Sequence, residues 1–130
     1  MINKINATVL FVRDFDACVK FYRDTLGLKV KETDVGFMSF DVAGQELALM
    51  DLPTASQMIS EEAIQPAKEG VHRVLLAAFV KDTDEAYEEL KARGVQFIKL
   101  PTTQPWGQRT AYFKDPDGNI WEISHFLPKE

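Results

Sequence analysis

The chain carries a single cysteine, Cys18, which rules out an internal disulfide and any cysteine-based metal cluster. It has only two histidines, His72 and His125, and it lacks His-Glu-x-x-His, Cys-x-x-Cys, the Gly-x-Ser-x-Gly elbow and a glycine-rich phosphate loop. The local signatures of zinc proteases, thiol redox enzymes, serine hydrolases and P-loop enzymes are therefore missing. Positive charge is also in short supply. The 15 Lys and Arg stand against 20 Asp and Glu for a net charge of −5, with no basic cluster long enough to neutralise a run of phosphates. Nucleic acid is not expected as a partner. No apolar run approaches the roughly 18 residues of a membrane span, and Met1-Ile2-Asn3-Lys4 leads directly into alternating strand sequence. A soluble, cytoplasmic protein without a membrane partner is the expectation.

What the chain does have is enough length and apolar content to fold unaided. Its 130 residues, 45% hydrophobic and 27% charged, can bury roughly two thirds of the unfolded surface without staples. It also contains itself twice. Val12-Arg13-Asp14-Phe15-Asp16 recurs at one fixed offset as Val80-Lys81-Asp82-Thr83-Asp84. At a slightly larger offset, Asp41-Val42-Ala43-Gly44 answers to Asp115-Pro116-Asp117-Gly118. Two copies imply two like modules, module 1 over about residues 3–52 and module 2 over about 70–127, joined by a connector at about 53–69 within a single domain.

Each copy reads as strand, helix, three strands. Ile5 to Val12 mixes Val, Leu, Phe and Thr as strands do, and Asp14 or Asp16 can cap the helix that follows. Ala17, Phe21 and Leu28 lie on its apolar stripe, and Gly27 ends it. Strands follow at Lys29–Thr33, Gly36–Val42 and Gln45–Asp51, the last two joined by a turn at Ala43-Gly44. The connector, with Pro53, Pro66 and an acidic middle at Ser60-Glu61-Glu62, contains a short helix and is long enough to lie over a binding site. The second copy has strands over Val71–Val80, Gln96–Leu100, Arg109–Lys114 and Asn119–Phe126, and a helix over Thr83–Arg93 capped by Asp82 or Thr83.

Strand alternation assigns faces. Leu47 and Leu49 in one half, and Trp121 and Ile123 in the other, belong to the parity that takes each module's own helix. The opposite parity carries Glu46, Arg73 and Glu122 among apolar groups and is expected to face a cavity.

Thr8-Val9-Leu10-Phe11-Val12-Arg13-Asp14, Phe21-Tyr22, Leu26-Gly27-Leu28, Trp106-Gly107, Tyr112-Phe113 and Asp115-Pro116-Asp117-Gly118-Asn119-Ile120-Trp121-Glu122 together resemble the glyoxalase, bleomycin-resistance and extradiol-dioxygenase proteins, the vicinal oxygen chelate superfamily. The likeness covers nearly the whole chain. It implies an α+β fold in which two βαβββ modules form an open, barrel-like cleft that usually holds a divalent metal, and it implies a homodimer. Family metal ligands are His, Glu or Gln. The matching positions here are Ala7, Ala48, Leu75 and Glu122, which leaves one carboxylate where about three ligands are needed. No cofactor is expected. The alternative is a divalent metal held if Glu46 and Glu122 both enter the site.

Glu122 is the candidate polar anchor or catalytic base, set against the plainer reading that it pairs with Arg73. Trp106 lies in a proline-bounded loop that could present its indole to a ligand. Phe11, Met38, Phe40, Met50, Phe79 and Tyr112 are candidate lining residues. Parity puts His72 and His125 away from the site as surface or strand-end residues, and Cys18 reads as a small core side chain. Three functions follow. One is metal-independent binding of a small organic molecule, cationic or aromatic, for sequestration or sensing. The second is a glyoxalase I-like lyase or isomerase, related to lactoylglutathione lyase, with Glu122 as base. The third is a structural module, if side chains fill the cleft.

Overall fold

β-Branched and aromatic residues extend Ala7–Val12 as strand β1, and the carboxylate of Asp14 then turns the chain into a helix by accepting the Ala17 amide at 3.1 Å. The computed structural model describes every residue except Ala67, Glu69 and Glu130. It divides into two compact units, Met1–Lys68 and Glu69–Glu130. Both units show the α+β class and the βαβββ order read from the sequence.

In the first unit the helix α1 (Phe15–Val19) widens into a π-helical turn over Lys20–Thr25, with the Leu26 amide reaching back to the Phe21 carbonyl at 2.8 Å. The regular stripe read from the sequence does not anticipate this. The wide turn lets adjacent Phe21 and Tyr22 both be buried, edge to face at 5.3 Å. Gly27, at φ 72°, ends the segment as expected. Strands β2 (Lys29–Asp34), β3 (Phe37–Val42) and β4 (Gln45–Asp51) follow, in the order β1-β4-β3-β2, with β1 parallel to β4 and the other pairs antiparallel. Ala43 and Gly44 both take positive φ, 51° and 86°, as a two-residue hairpin turn of the primed type requires. The connector's helix, α2 (Leu52–Met58), begins directly at β4 with Asp51 as its cap. Ala55 and Ile64 close over Met50.

The second unit repeats the plan with β5 (Leu75–Phe79), α3 (Thr83–Ala92), β6 (Gln96–Thr103), β7 (Gln108–Lys114) and β8 (Ile120–Phe126), ordered β5-β8-β7-β6. Two boundaries differ from expectation. Residues 71–74 are not strand, so β5 is half the length read from the sequence. Strand β6 instead runs on through Pro101, because an edge strand can spare the missing amide and the ladder is irregular between Lys99 and Thr102.

Helix α3 is bound to its sheet by a polar junction. Asp82 caps it through the Glu85 amide at 3.1 Å. The fully buried Thr83 donates its hydroxyl to the Arg109 carbonyl at 2.8 Å, and that hydroxyl lies 2.7 Å from His125 Nδ1. The Thr83 amide also donates to His125 Nδ1 at 2.9 Å. His125, at the strand end where parity set it away from Glu122, is thus a half-buried acceptor at a helix start. Beside it, Arg109 grips Asp84 with two bonds of 2.9 and 3.1 Å. Thr83→Val, which keeps the shape and removes the hydroxyl, is expected to cost about 1–3 kcal/mol in urea unfolding. Asp84→Ala, which breaks a largely exposed ion pair, is expected to cost less than about 1 kcal/mol.

Candidate functional site

The pleat of β8 sends Trp121, Ile123 and His125 toward α3 and Glu122 and Ser124 to the opposite face. In register, Glu122 stands between Ala77 of β5 and Tyr112 of β7. The Tyr112 hydroxyl donates to Glu122 Oε2 at 2.6 Å. That bond, followed by burial, pushes the phenol above the usual tyrosine range, while a hydrogen bond from Thr110 pulls the other way. Thr110 in turn accepts from Gln104 Nε2 at 2.9 Å. Gln104 thus donates to Thr110, and Tyr112 donates to Glu122. A second short line runs beside these bonds, with Trp106 Nε1 donating to Gln108 Oε1 at 2.8 Å and Gln108 Nε2 donating to Ser124 at 2.8 Å.

Glu122 Oε1 accepts nothing from the described residues. The expected Arg73 partnership is not formed: Arg73 is exposed, lies ahead of β5, and Glu122 is held by Tyr112 instead. Around the carboxylate the surface is apolar and open. Leu75 and Phe79 flank Ala77 on the same face of β5, Phe79 being 74% exposed, and the Phe79 ring lies 5.8 Å from that of Phe126. Trp106 is 64% exposed on the β6–β7 loop, with its indole nitrogen committed to Gln108.

The first unit places its candidates differently. Met38 and Phe40 pair in register with Leu49 and Leu47, so they belong to the helix side. Phe40 is fully buried with its ring 6.1 Å from that of Tyr22. They are core rather than lining, because the strand parity of β3 is set by its partners and not by the residues' size. Phe11 and Met50 are opposite one another on the other face, where Met50 is buried by Ala55 and Ile64 and Phe11 stays exposed. Glu46 shares that face but is taken up by Lys31, which reaches over β3 to it at 2.7 Å and is raised in pKa by that bond. The connector also borders a shallow depression of about 500 Å³, lined by Pro53, Ser56, Gln57, Glu61, Ile64 and Gln65, none of them a sequence candidate.

The repeat exposes a residue that sequence reading missed. Ser39 pairs with Ala48 in register as Tyr112 pairs with Glu122, so a hydroxyl stands at the matching place in both units. In the first unit the carboxylate is replaced by a methyl group. Ser39 Oγ is fully buried and has no hydrogen-bond partner among the described residues. Lining up β3 with β7, and not only β4 with β8, would have found it.

The four positions matching family metal ligands therefore hold a half-buried Ala7, a buried Ala48, an exposed Leu75 and Glu122. Among the described residues no three His, Cys, Asp or Glu side chains group closely enough to hold an ion. This donor set does not fit a divalent metal, since a carbon side chain offers no lone pair. Cys18 is a buried thiol.

Two βαβββ units define the fold class, and comparison with known proteins supplies the family. Residues 4–123 match the Glyoxalase/Bleomycin resistance protein/Dioxygenase superfamily, and the chain belongs to it. It is 33% identical over 121 residues to the uncharacterized protein YraH of Bacillus subtilis (strain 168), covering 91% of this chain and 94% of that one. A glyoxalase/bleomycin resistance protein/dioxygenase from Nocardioides superposes with a TM-score of 0.88 at 29% identity, covering 100% of this chain and 87% of that one. Lactoylglutathione lyase from Agrobacterium tumefaciens gives a TM-score of 0.74 at 27% identity, covering 95% and 93%.

Two measurements test this geometry. Because the Tyr112 pKa is raised in the folded state, its contribution to stability is complete below the unfolded value of about 10 and is lost as pH rises through the folded value. The stability gap between the parent protein and Tyr112→Phe, from urea unfolding, is therefore expected to shrink as pH rises above about 10. Ser39→Ala removes an orphaned hydroxyl and is expected to stabilise by about 1 kcal/mol. A loss of that size would mean the hydroxyl has a partner.

Proposed function

We propose that the protein binds a small organic molecule at the Glu122 face of its second sheet, without a divalent ion, as a sequestering or sensing protein. The observation that carries this reading is the 2.6 Å bond from Tyr112 to Glu122 Oε2. It fixes the carboxylate at the end of a donor line and leaves Oε1 as an unspent acceptor beside open apolar surface. One fixed polar group against apolar walls is the usual composition of a small-molecule site.

The second reading, a lyase or isomerase with Glu122 as base, draws support from the likeness to a lactoylglutathione lyase. It asks more of the site. A base working alpha to a carbonyl needs donors aimed at the developing oxyanion, usually the larger part of such catalysis. Here the nearest donors, Tyr112 and Gln108, are directed at Glu122 and Ser124. A cytoplasmic homodimer completes the proposal. A buried Cys18 thiol that forms no disulfide suits a reducing compartment, and the dimer rests on family resemblance.

Elemental analysis of the purified protein, with thermal shift on adding nickel, zinc, iron or manganese, separates the readings. Less than about 0.1 ion per chain and no shift are expected, whereas a bound ion saturating its site would stabilise by roughly 3–4 kcal/mol. A stoichiometric metal, or turnover of a hemithioacetal abolished by Glu122→Gln, would replace the binding reading with the enzymatic one.

A further inference from the structure

Among the described residues the charged groups on this sheet face are Glu122, Lys114 diagonal to it on β7, and Lys99 on the edge strand. On one side of Glu122 stands the phenol, already spent on Oε2. On the other stands Ala77, the smallest side chain on that face of β5, between the larger Leu75 and Phe79. The alanine leaves a step beside the carboxylate, each wall two residues from it along the strand, so that Leu75 and Phe79 stand about 13 Å apart. Leu75 and Phe79 are 49% and 74% exposed, and Phe126 follows at 64%. Lys99, in register with Tyr112 on the far strand, is exposed and forms no ion pair with Glu122.

Resting on the binding reading above, we propose that this step receives a protonated amine carried on an aromatic body, its nitrogen on Glu122 Oε1 and its ring along β5 against Phe79. The charge sign follows from the free atom. A carboxylate oxygen with no donor is met best by a cationic N–H, a charge-assisted bond roughly twice as strong as a neutral one. An anionic guest in the step beside Ala77 would meet Glu122 directly, with Lys114 and Lys99 on the β7 and β6 side of the carboxylate. The length follows from the pleat: Phe79 is in register with Ser124, about 7 Å along β8 from Glu122, so nitrogen and ring must be separated by a short linker. The donor line gives Tyr112 its part. Its proton is supplied to Oε2, so Oε1 remains the acceptor that the guest meets. Tyr112 is a positioning residue.

The test uses the full chain and four probes in calorimetric titrations: 2-phenylethylammonium, 2-phenylethanol, 3-phenylpropanoate and methylammonium. The phenyl ammonium is expected to bind about tenfold or more tightly than the alcohol, the difference carried by one charge-assisted bond. The anion and the bare ammonium are expected to bind weakest. Glu122→Gln, nearly isosteric, should bring ammonium and alcohol within about threefold of each other, while Phe79→Ala should weaken both by similar factors. Circular dichroism of both variants confirms that they are folded. If the alcohol or the anion binds as well as the ammonium, the cation assignment is wrong and the binding reading survives. If none of the four binds, both are wrong. Sedimentation adds the remaining outcome: a change of oligomeric mass on Phe79→Asp would show that a second copy occupies this face, which also overturns the proposal.

Discussion

The alternation of β8 is the constraint on which the rest of the second unit depends. One strand must supply both the floor under α3 and the working face, so adjacent residues have opposite duties. Trp121 stacks on Phe113, with ring centroids 6.0 Å apart and nearly parallel, and His125 accepts from the start of α3. These contacts pin the register. A slip of one residue would send Glu122 under the helix and Trp121 into the open. The position of the one candidate anchor is therefore set by groups that do not touch it, above all by the Thr83 and His125 junction at the far end of the strand.

The two units obey the same constraint with different outcomes. In each, a hydroxyl on the third strand of the module faces a residue on the fourth: Tyr112 faces Glu122, and Ser39 faces Ala48. The Tyr112–Glu122 pair is short and charged. In the first unit the counterpart carboxylate is absent and the counterpart hydroxyl is left buried without a bond. Glu46, the nearest acid on that face, is neutralised by Lys31, and Met50 is covered by Ala55 and Ile64. The polar function of the repeat has been concentrated in one copy while the backbone plan of both has been kept. A fold can carry such asymmetry because strand order and helix packing are fixed by the apolar parity, which both copies retain.

This division explains what the sequence made legible. The module plan was readable because it rests on local signals: Asp caps, glycines where φ turns positive, and apolar alternation within single strands. Glu122 stood out because the family pattern isolates it. The failures are non-local. Met38 and Phe40 read as lining because β3 taken alone does not say which face is which; only pairing with Leu49 and Leu47 decides it. Of the two readings of Glu122, the pairing with Arg73 drops out because residues 71–74 are not strand. His125 reads as a surface or strand-end residue, and its bond to Thr83, 42 positions away in the chain, has no local signal. The Gln104 to Glu122 line was invisible for the same reason, since it joins a loop to two strands whose neighbourhood exists only once β7 pairs with β8.

The direction of that line bears on chemistry more than its mere presence does. A hydroxyl has one proton to give, and Tyr112 gives its proton to the carboxylate. A network so oriented ends in negative charge and strengthens the terminal acceptor, because each bond polarises the next. For a base this is a handicap: to take up a proton, Glu122 would have to weaken the bond at Oε2 that the whole line supports. For an anchor it is an advantage, since the fixed carboxylate presents Oε1 without ordering a flexible side chain on binding. The same residues at the same positions would favour proton transfer only if the line ran the other way, away from Glu122 and toward the reacting molecule, and in this chain the Tyr112 proton faces the carboxylate.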